Sequence, residues 1–498
     1  MVRWSFGLSQ AAVLPLIVFG WLVGVPQGVA EEIRFQILQM NDVYEISTLA
    51  GGTEAGLARV ATIRKDLLVE NENTLTVMAG DFFSPSALGT AKVGGDRLAG
   101  QQMVGVLNAM GLDLATFGNH EFDITEAQFR DRLAESRFQW LSGNVRDVAG
   151  ERWNNVPDYV IRTIEGETGE TIRVGFVGTT IPSNPASYVS YLDPIEKMKA
   201  DVAAIKDETD VIVALTHLAL AEDQYLAENI PEIDIILGGH EHENIQQWRG
   251  KDFTPIFKAD ANARTVYIHR LSYDTDTDEL IINSHIKPVT EAIALDPDTA
   301  KVVDYWEQRA FEGFRASGFD PGAIIANSTV ALDGLESSVR NGQTGLTNLI
   351  ADAVFSVGEN VDLSIFNSGS IRIDDVLPPG IITQYDVIRV LPFGGDIVTV
   401  EMSGALLERV LNQGLANRGS GGFLQTAGVS QDPDTQNWLI GDRPLDISQT
   451  YRVATVEFLI SGKETGLDFL NTDNPELTLV SEQGDIRFAL IDQLTKLN

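Results

Sequence analysis

The sequence predicts a two-domain α/β protein in which helices cover a sheet. Short apolar runs that stop at polar residues alternate with segments of helical periodicity. The rhythm breaks once, at a long charged stretch from Asp296 to Ala316, and then resumes. The length, 498 residues, exceeds what one ordinary core accommodates.

Composition narrows the classes. A hydrophobic content of 44% and a mean hydropathy near zero describe a globular chain. A net charge of −35 argues against a nucleic-acid polymer as partner and against adsorption to anionic lipid. Residues 1–30 resemble a secretory leader. Arg3 precedes an apolar stretch, and "PQGVA" ends with Gly28 and Ala30 at the −3 and −1 positions of a cleavage site. The mature chain is therefore expected to be periplasmic or secreted and free of the membrane, an uncleaved anchor being the alternative. The C-terminal "FALIDQLTKLN" is too polar for a lipid-anchor signal, and with no cysteine neither a disulfide nor a thioether lipid is available.

The elements follow in order. "IRFQILQMND" is a strand that stops at Asn41-Asp42. "ARVATIRKDLLVEN" has Val60, Ile63, Leu67 and Leu68 on one helical face. "TLTVMAGD" is a strand ending at Asp81, and "GDRLAGQQMVGVLNAMG" reads as a helix closed by Gly111. "LDLATFGNHEFD" breaks into polar residues at Asn119. "TEAQFRDRLAES" opens with Thr125 and Gln128 at capping-box spacing. "FQWLSGN", "RVGFVGTT", "DVIVALTH" and "IDIILGGHEHE" repeat the pattern of a strand followed by polar residues. The expected organisation is a leader over 1–30, a first α/β domain over 31–295, a linking helix over 296–320 and a second α/β domain over 321–498.

Four of the six histidines, His120, His217, His240 and His242, lie just beyond apolar strands, beside Asp42, Asp81, Asn119 and Asp123. Ligands of open α/β sheets bind at the carboxyl ends of strands, where residues distant in sequence converge. Asp, Asn and His suit divalent metals of intermediate hardness. Any one of these residues alone reads as a turn former or a satisfied histidine; five strand tips together do not. His269 and His285 lie inside strand-like runs and read as structural.

"QMNDVYE", "AGDFFSPS", "FGNHEFD", "LTH" and "GGHEHE", in this order, resemble the dinuclear metallophosphoesterases of the secreted 5'-nucleotidase and UDP-sugar hydrolase family. "VRNGQTGLTNLIADAV", "NSGSIR", "LPFGGDIVTVEMSG" and "GGFLQTAGV" resemble that family's C-terminal substrate-binding domain. The resemblance implies an N-terminal metallophosphoesterase-type β-sandwich flanked by helices. It also implies two divalent metal ions, with Mn, Zn, Mg or Ca left open. Asp42 and His242 would hold the first ion, Asn119, His217 and His240 the second, and Asp81 would bridge them. Such a pair activates water and clamps phosphate oxygens. His120 would face the phosphate, oriented by Asp123. Arg340, Asn367, Arg372 and Phe393 match substrate-binding positions, Phe393 being one of two aromatic residues that stack a nucleobase.

Three departures stand out. "NSGSIR" carries Ser368 and Ser370 where the family has glycine, which would narrow the approach. The second stacking position falls on Leu467 or Phe469. Tyr44 occupies the place of a first-metal histidine, so it is a phenolate ligand, turns away, or bonds a metal-bound water, with Glu45 as a substitute donor. The expected function is hydrolysis of small phosphate monoesters, nucleoside 5'-monophosphates first. The alternatives are 2',3'-cyclic nucleotide phosphodiesterase, nucleotide-sugar hydrolase, or a nucleotide-binding protein with weakened turnover.

Overall fold

The structure is a computed structural model that describes residues 32–497 except Asn184, so the expected leader lies outside the described residues. The N-terminal half contains two six-stranded sheets. In the first, Glu32–Met40, Thr74–Ala79, Leu114–Thr116 and Gln139–Trp140 run parallel, and Thr265–Asp274 and Glu279–Pro288 close one edge antiparallel. In the second, Thr171–Thr180, Val211–His217, Ile235–Leu237 and Thr254–Lys258 run parallel between antiparallel edge strands.

The alternation of side chains along a strand explains the layering. Ile33, Phe35 and Ile37 point between the sheets, where they meet Val174, Phe176, Val213 and Leu215. Leu38 and Met40, on the other face, pack with Val60, Ile63, Met103 and Leu107 of the covering helices. Strands buried on both faces read as continuous apolar runs. The helices Leu57–Glu70, Gln101–Met110 and Glu126–Glu135 contribute to that outer layer, and Pro194–Ile205 and Leu220–Asn229 cover the second sheet. Thr125 and Gln128 do form the capping box.

The helix expected from Gly95 begins instead at Gln101, because Asp96–Arg97 pairs with Lys92–Val93 as a small hairpin. The charged helix runs Pro297–Ala316, capped by Asp296. It is not a bare connector. Val303, Ala310 and Phe314 are buried in the N-terminal core, so the helix is a structural layer of the first half.

The C-terminal half is built on a five-stranded sheet in the order Leu424–Ala427, Leu363–Asn367, Thr450–Val456, Asp396–Ser403, Leu477–Asp485. It packs on the helices Gly345–Val357, Gly404–Ala416 and Ile486–Thr495 through its own core. Polar contacts join the halves: Tyr385 donates to Glu45 at 3.1 Å, and Arg264 pairs with Asp375 at 2.6 Å. Ile388 of the second half is fully buried in the first half's core.

Candidate active site

The carboxyl ends of the central parallel strands of both sheets converge at one place. Asp42 follows the first strand, Asp81 the second, and Asn119 and His120 the third; His217 ends its strand, and His240 and His242 follow Ile235–Leu237. Close approach at this point demands glycine. A Cβ on Gly118 would lie 2.0 Å from Asp81 Oδ1, and one on Gly239 would lie 2.3 Å from the Ala79 carbonyl.

Asp42, Asp81 and His217 are buried and offer ligand atoms within 4.8 Å of one another. His217 Nδ1 donates to the Ala79 carbonyl at 2.7 Å, which fixes the tautomer and leaves Nε2 facing Asp81 Oδ2 at 3.2 Å. That Nε2 makes no hydrogen bond, and neither does the buried Asn119 Oδ1. Buried polar atoms left unpartnered are rare. The His217 nitrogen faces the carboxylates of Asp81 and Asp42, and Asn119 lines the same cavity as Asp81, a donor set that fits a cation. The electrostatics agree. Burial opposes the charged form of His217, but Asp81 and Asp42 overcome it and raise the imidazole to about 10. Burial and the adjoining His217 pull His240 down to about 4, a neutral nitrogen donor.

His242, Glu336 and Asp374 form a second such group, in which His242 Nε2 lies 3.7 Å from Asp42 Oδ1 while its Nδ1 bonds Asp374, which comes from the other half of the chain. Tyr44 does not turn away. Its hydroxyl is 3.1 Å from His242 Nε2, 3.3 Å from Asp81 Oδ2 and 3.4 Å from Asp42 Oδ1. Burial, with Asp81 and Asp42 beside it, pushes the phenol well above its ordinary value. Glu45 is not a substitute donor here, since it faces Tyr385 and Arg389 instead.

His120 Nδ1 and Asp123 Oδ2 are 2.6 Å apart. Asp123 is not the cap of the helix that follows, a role held by Thr125. His120 lines a cavity of about 210 Å³, together with Tyr44, Asp81, Asn119, His240 and His242 and, from the second half, Arg340, Arg372 and Asp374. Burial and neighbouring Arg372 lower Arg340 to about 10, and Glu336 pairs with it. Arg372 Nε is buried without a hydrogen-bond partner, and its guanidinium lies 5.9 Å from the centre of the half-exposed Phe393 ring.

Asn367 is not among the residues lining this cavity. Its amide donates to Glu464 at 2.8 Å and its carbonyl accepts from Ser370 at 2.7 Å. Ser368 and Ser370 therefore do not narrow the approach: Ser370 is turned to Asn367, and buried Ser368 bonds the Gly421 carbonyl. Leu467 is fully buried in the second core, and Arg409 covers the Phe469 ring at 3.6 Å, so neither is open to stacking. His269 is structural, held between Ser284 at 2.7 Å and Gln39 at 2.9 Å.

Glu121 was missed by the sequence reading. It accepts the backbone N–H groups of Asp81 at 2.9 Å and Phe82 at 2.7 Å, tying down the loop that carries Asp81. Burial and the Asp81 charge raise it to about 7. Its adjacency to His120 in "GNHEFD" was the available signal. Lys258 was missed as well. Buried, it donates to the Leu218 carbonyl at 2.7 Å and pairs with Asp223 at 2.8 Å, bracing the loop after His217.

Two family models match the chain, calcineurin-like phosphoesterase over residues 35–244 and the 5'-nucleotidase C-terminal domain over 324–471. The chain is 27% identical over 464 residues to a trifunctional nucleotide phosphoesterase protein of Bacillus subtilis, covering 81% of this chain and 31% of that protein. It is 25% identical over 463 residues to bovine 5'-nucleotidase, covering 82% and 78%. The fold matches a crystal structure of the 5'-nucleotidase precursor from Thermus thermophilus with a TM-score of 0.74 at 24% identity, over 93% and 96% of the two chains.

Proposed function

The chain belongs to the family that joins a calcineurin-like phosphoesterase domain to a 5'-nucleotidase C-terminal domain, a family of phosphoric monoester hydrolases, and we propose that nucleoside 5'-monophosphates are its first substrates. One observation carries the proposal: His120, held by Asp123, and the arginines Arg340 and Arg372 line the same cavity as the donors Asp81, Asn119, His240 and His242.

The family implies divalent metal ions, and the unpartnered His217 Nε2 beside the Asp42 and Asp81 carboxylates fits them, as does the unpartnered Asn119 Oδ1. Asp42, Asp81 and His242 would hold one ion; Asp81, Asn119, His217 and His240 would hold the other. When bound, such a pair acidifies water and neutralises phosphate charge. The chain's own residues do the rest. With Nδ1 committed to Asp123, the His120 ring is fixed so that Nε2 serves the substrate, where it stabilises the transferring phosphate or protonates the leaving oxygen. Arg372 and Arg340 grip anionic oxygens, a task that suits the planar guanidinium fork. Phe393 offers one face to a base. Because Leu467 and Phe469 are not open to stacking, base selectivity rests on that single face, which also favours non-nucleotide esters. The leader-like residues 1–30 support action outside the cytoplasm.

The test is phosphate release from a panel of nucleotides, cyclic nucleotides, nucleotide-sugars and simple esters, using metal-stripped protein with Mn²⁺, Zn²⁺, Mg²⁺ or Ca²⁺ added back. Metal-dependent release that is fastest from 5'-monophosphates supports the proposal. Faster release from a cyclic nucleotide or nucleotide-sugar replaces its substrate, and no release with any metal ends it.

A further inference from the structure

Two guanidinium groups line the cavity, and they are not equivalent. The buried Nε of Arg372 has no hydrogen-bond partner. Arg340 pairs with Glu336, a residue one turn earlier that lines the same cavity. On an exposed helix such a pair adds little. Here burial and the adjoining Arg372 act against the Arg340 charge, so the Glu336 carboxylate supplies compensation inside the cavity. Glu336 is also held in place. Its N–H donates to Asp374 Oδ1 at 2.7 Å, its carbonyl accepts the Arg340 N–H at 3.1 Å, and its Oε2 lies 3.7 Å from His242 Nδ1. Of the other two carboxylates that line the cavity, Asp81 faces His217 and Asp374 bonds His242. Glu336 is therefore the carboxylate that occupies an anion-binding group.

A guanidinium takes a carboxylate or a phosphate in the same fork. Arg340 has five N–H donors, so it can keep Glu336 and still offer a hydrogen bond to one phosphate. A ligand with a second anionic group has to displace Glu336 from Arg340 or stand beside its charge, and like charges set together in a binding site are costly. We propose that Glu336 is a specificity-determining residue that confines the cavity to esters carrying one phosphate on an uncharged alcohol. Esters with a further anionic group, such as phosphorylated carboxylic acids, are rejected. A nucleoside is an uncharged alcohol, so the rule is consistent with 5'-monophosphates as substrates. The inference rests on the proposal that this cavity binds a phosphate ester.

The experiment measures how glycerol phosphate and phosphoglycerate, which differ by one carboxylate, inhibit hydrolysis of adenosine 5'-monophosphate. It uses the full chain loaded with metal, as wild type, Glu336→Gln and Glu336→Asp. Glutamine keeps the size of the side chain and an acceptor for Arg340 but removes the charge. Wild type should bind glycerol phosphate the more tightly. Glu336→Gln should narrow that preference by roughly 10–100-fold, the scale of a hydrogen bond to a charged group, through a gain for phosphoglycerate. Glu336→Asp, which keeps the charge, should keep the preference. Wild type that prefers phosphoglycerate, an unchanged preference in Glu336→Gln, an equal gain for both compounds, or no inhibition by phosphoglycerate in that variant each overturns the proposal. So does a Glu336→Gln protein without hydrolysis, since the residue would then serve turnover rather than selection. Wild type that hydrolyses no nucleotide at all overturns the reading beneath it.

Discussion

Asp374→Asn tests whether the second half of the chain tunes His242, a proposed metal ligand in the first. Asp374 uses its two carboxylate oxygens for two donors: Oδ2 bonds His242 Nδ1, and Oδ1 accepts the Glu336 N–H at 2.7 Å. Asparagine has one carbonyl oxygen, so one of those donors must face an NH₂ group. Leaving a buried donor unpaired costs about 1–3 kcal/mol. If the lost bond is to His242, the ring is freed to rotate and the carboxylate no longer raises its basicity. Outer partners of metal-bound histidines are worth roughly 10–100-fold in metal affinity, about 1.4–2.8 kcal/mol. The expected result is therefore a first site weakened by that factor and a second site, at His217 and His240, left intact. Metal titration calorimetry on stripped wild type and variant resolves the two, and thermal unfolding of the metal-free proteins guards against a general loss of fold. Unchanged affinity at both sites would mean that Asp374 does not orient His242. An equal fall at both, with a lower melting temperature, would mean that the contact is structural only.

Replacing His120 by Gln should lower kcat by roughly 10²–10⁴ with metal content unchanged, since Nδ1 is taken by Asp123; loss of a metal ion would make His120 a ligand instead. Arg372→Ala should mainly raise KM for nucleotides, as when ground-state binding is lost, and an unchanged KM for every substrate would place recognition elsewhere. The fully buried His269 is held down at about 3 by burial and by His285. Its folded-state value lies below that of the unfolded chain, so the unfolded state takes up the proton first and stability falls as pH drops from about 6.5 towards 3. At pH 4.5 this one group should cost about 2–3 kcal/mol relative to pH 7. His269→Gln should lose correspondingly less stability over that interval in urea unfolding, and an identical pH dependence in the two proteins would contradict the assignment.

The cluster in the first half was legible because its placement is local. Each strand delivers a polar residue directly at its tip, so Asp42, Asp81, Asn119, His217, His240 and His242 could be picked out from where apolar runs stop. What escaped depends on contacts that no local pattern encodes. Glu121 acts on backbone donors 40 residues away, Lys258 lies 40 residues from the carbonyl it braces, and Asp374 reaches His242 across 132 residues from the other half of the chain. The substrate-binding positions fared unevenly for the same reason. Arg340 and Arg372 reach the cavity, whereas Asn367 is consumed by Glu464 and Ser370. The helix start was misplaced because the turn at Gly94 and Gly95 closes a two-residue hairpin that a helical pattern overran.

Backbone strain gives an argument for the site that is independent of any motif. Asp42, Asp81 and His240 have φ of 52°, 56° and 86°, in the left-handed region that residues with a Cβ seldom adopt. Asp374, the residue behind His242, has φ of 39°. Aspartate and histidine tolerate this conformation better than most residues with a Cβ, yet three of them meet at one site. Strained residues of this kind cost of the order of 1–3 kcal/mol each and persist only where the surroundings over-determine them. Here the surroundings are specific. The His240 N–H is spent on Asp42 Oδ2 at 3.0 Å, the Asp81 N–H on Glu121, and the Asp42 N–H on the Gly80 carbonyl at 3.0 Å. Each bond holds a backbone turn in the orientation that sends its side chain towards the others. A fold relieved of this strain would separate the carboxylates and imidazoles. Keeping them together buries two carboxylates beside the unpartnered His217 Nε2 and Asn119 Oδ1, a combination that fits the proposed cation.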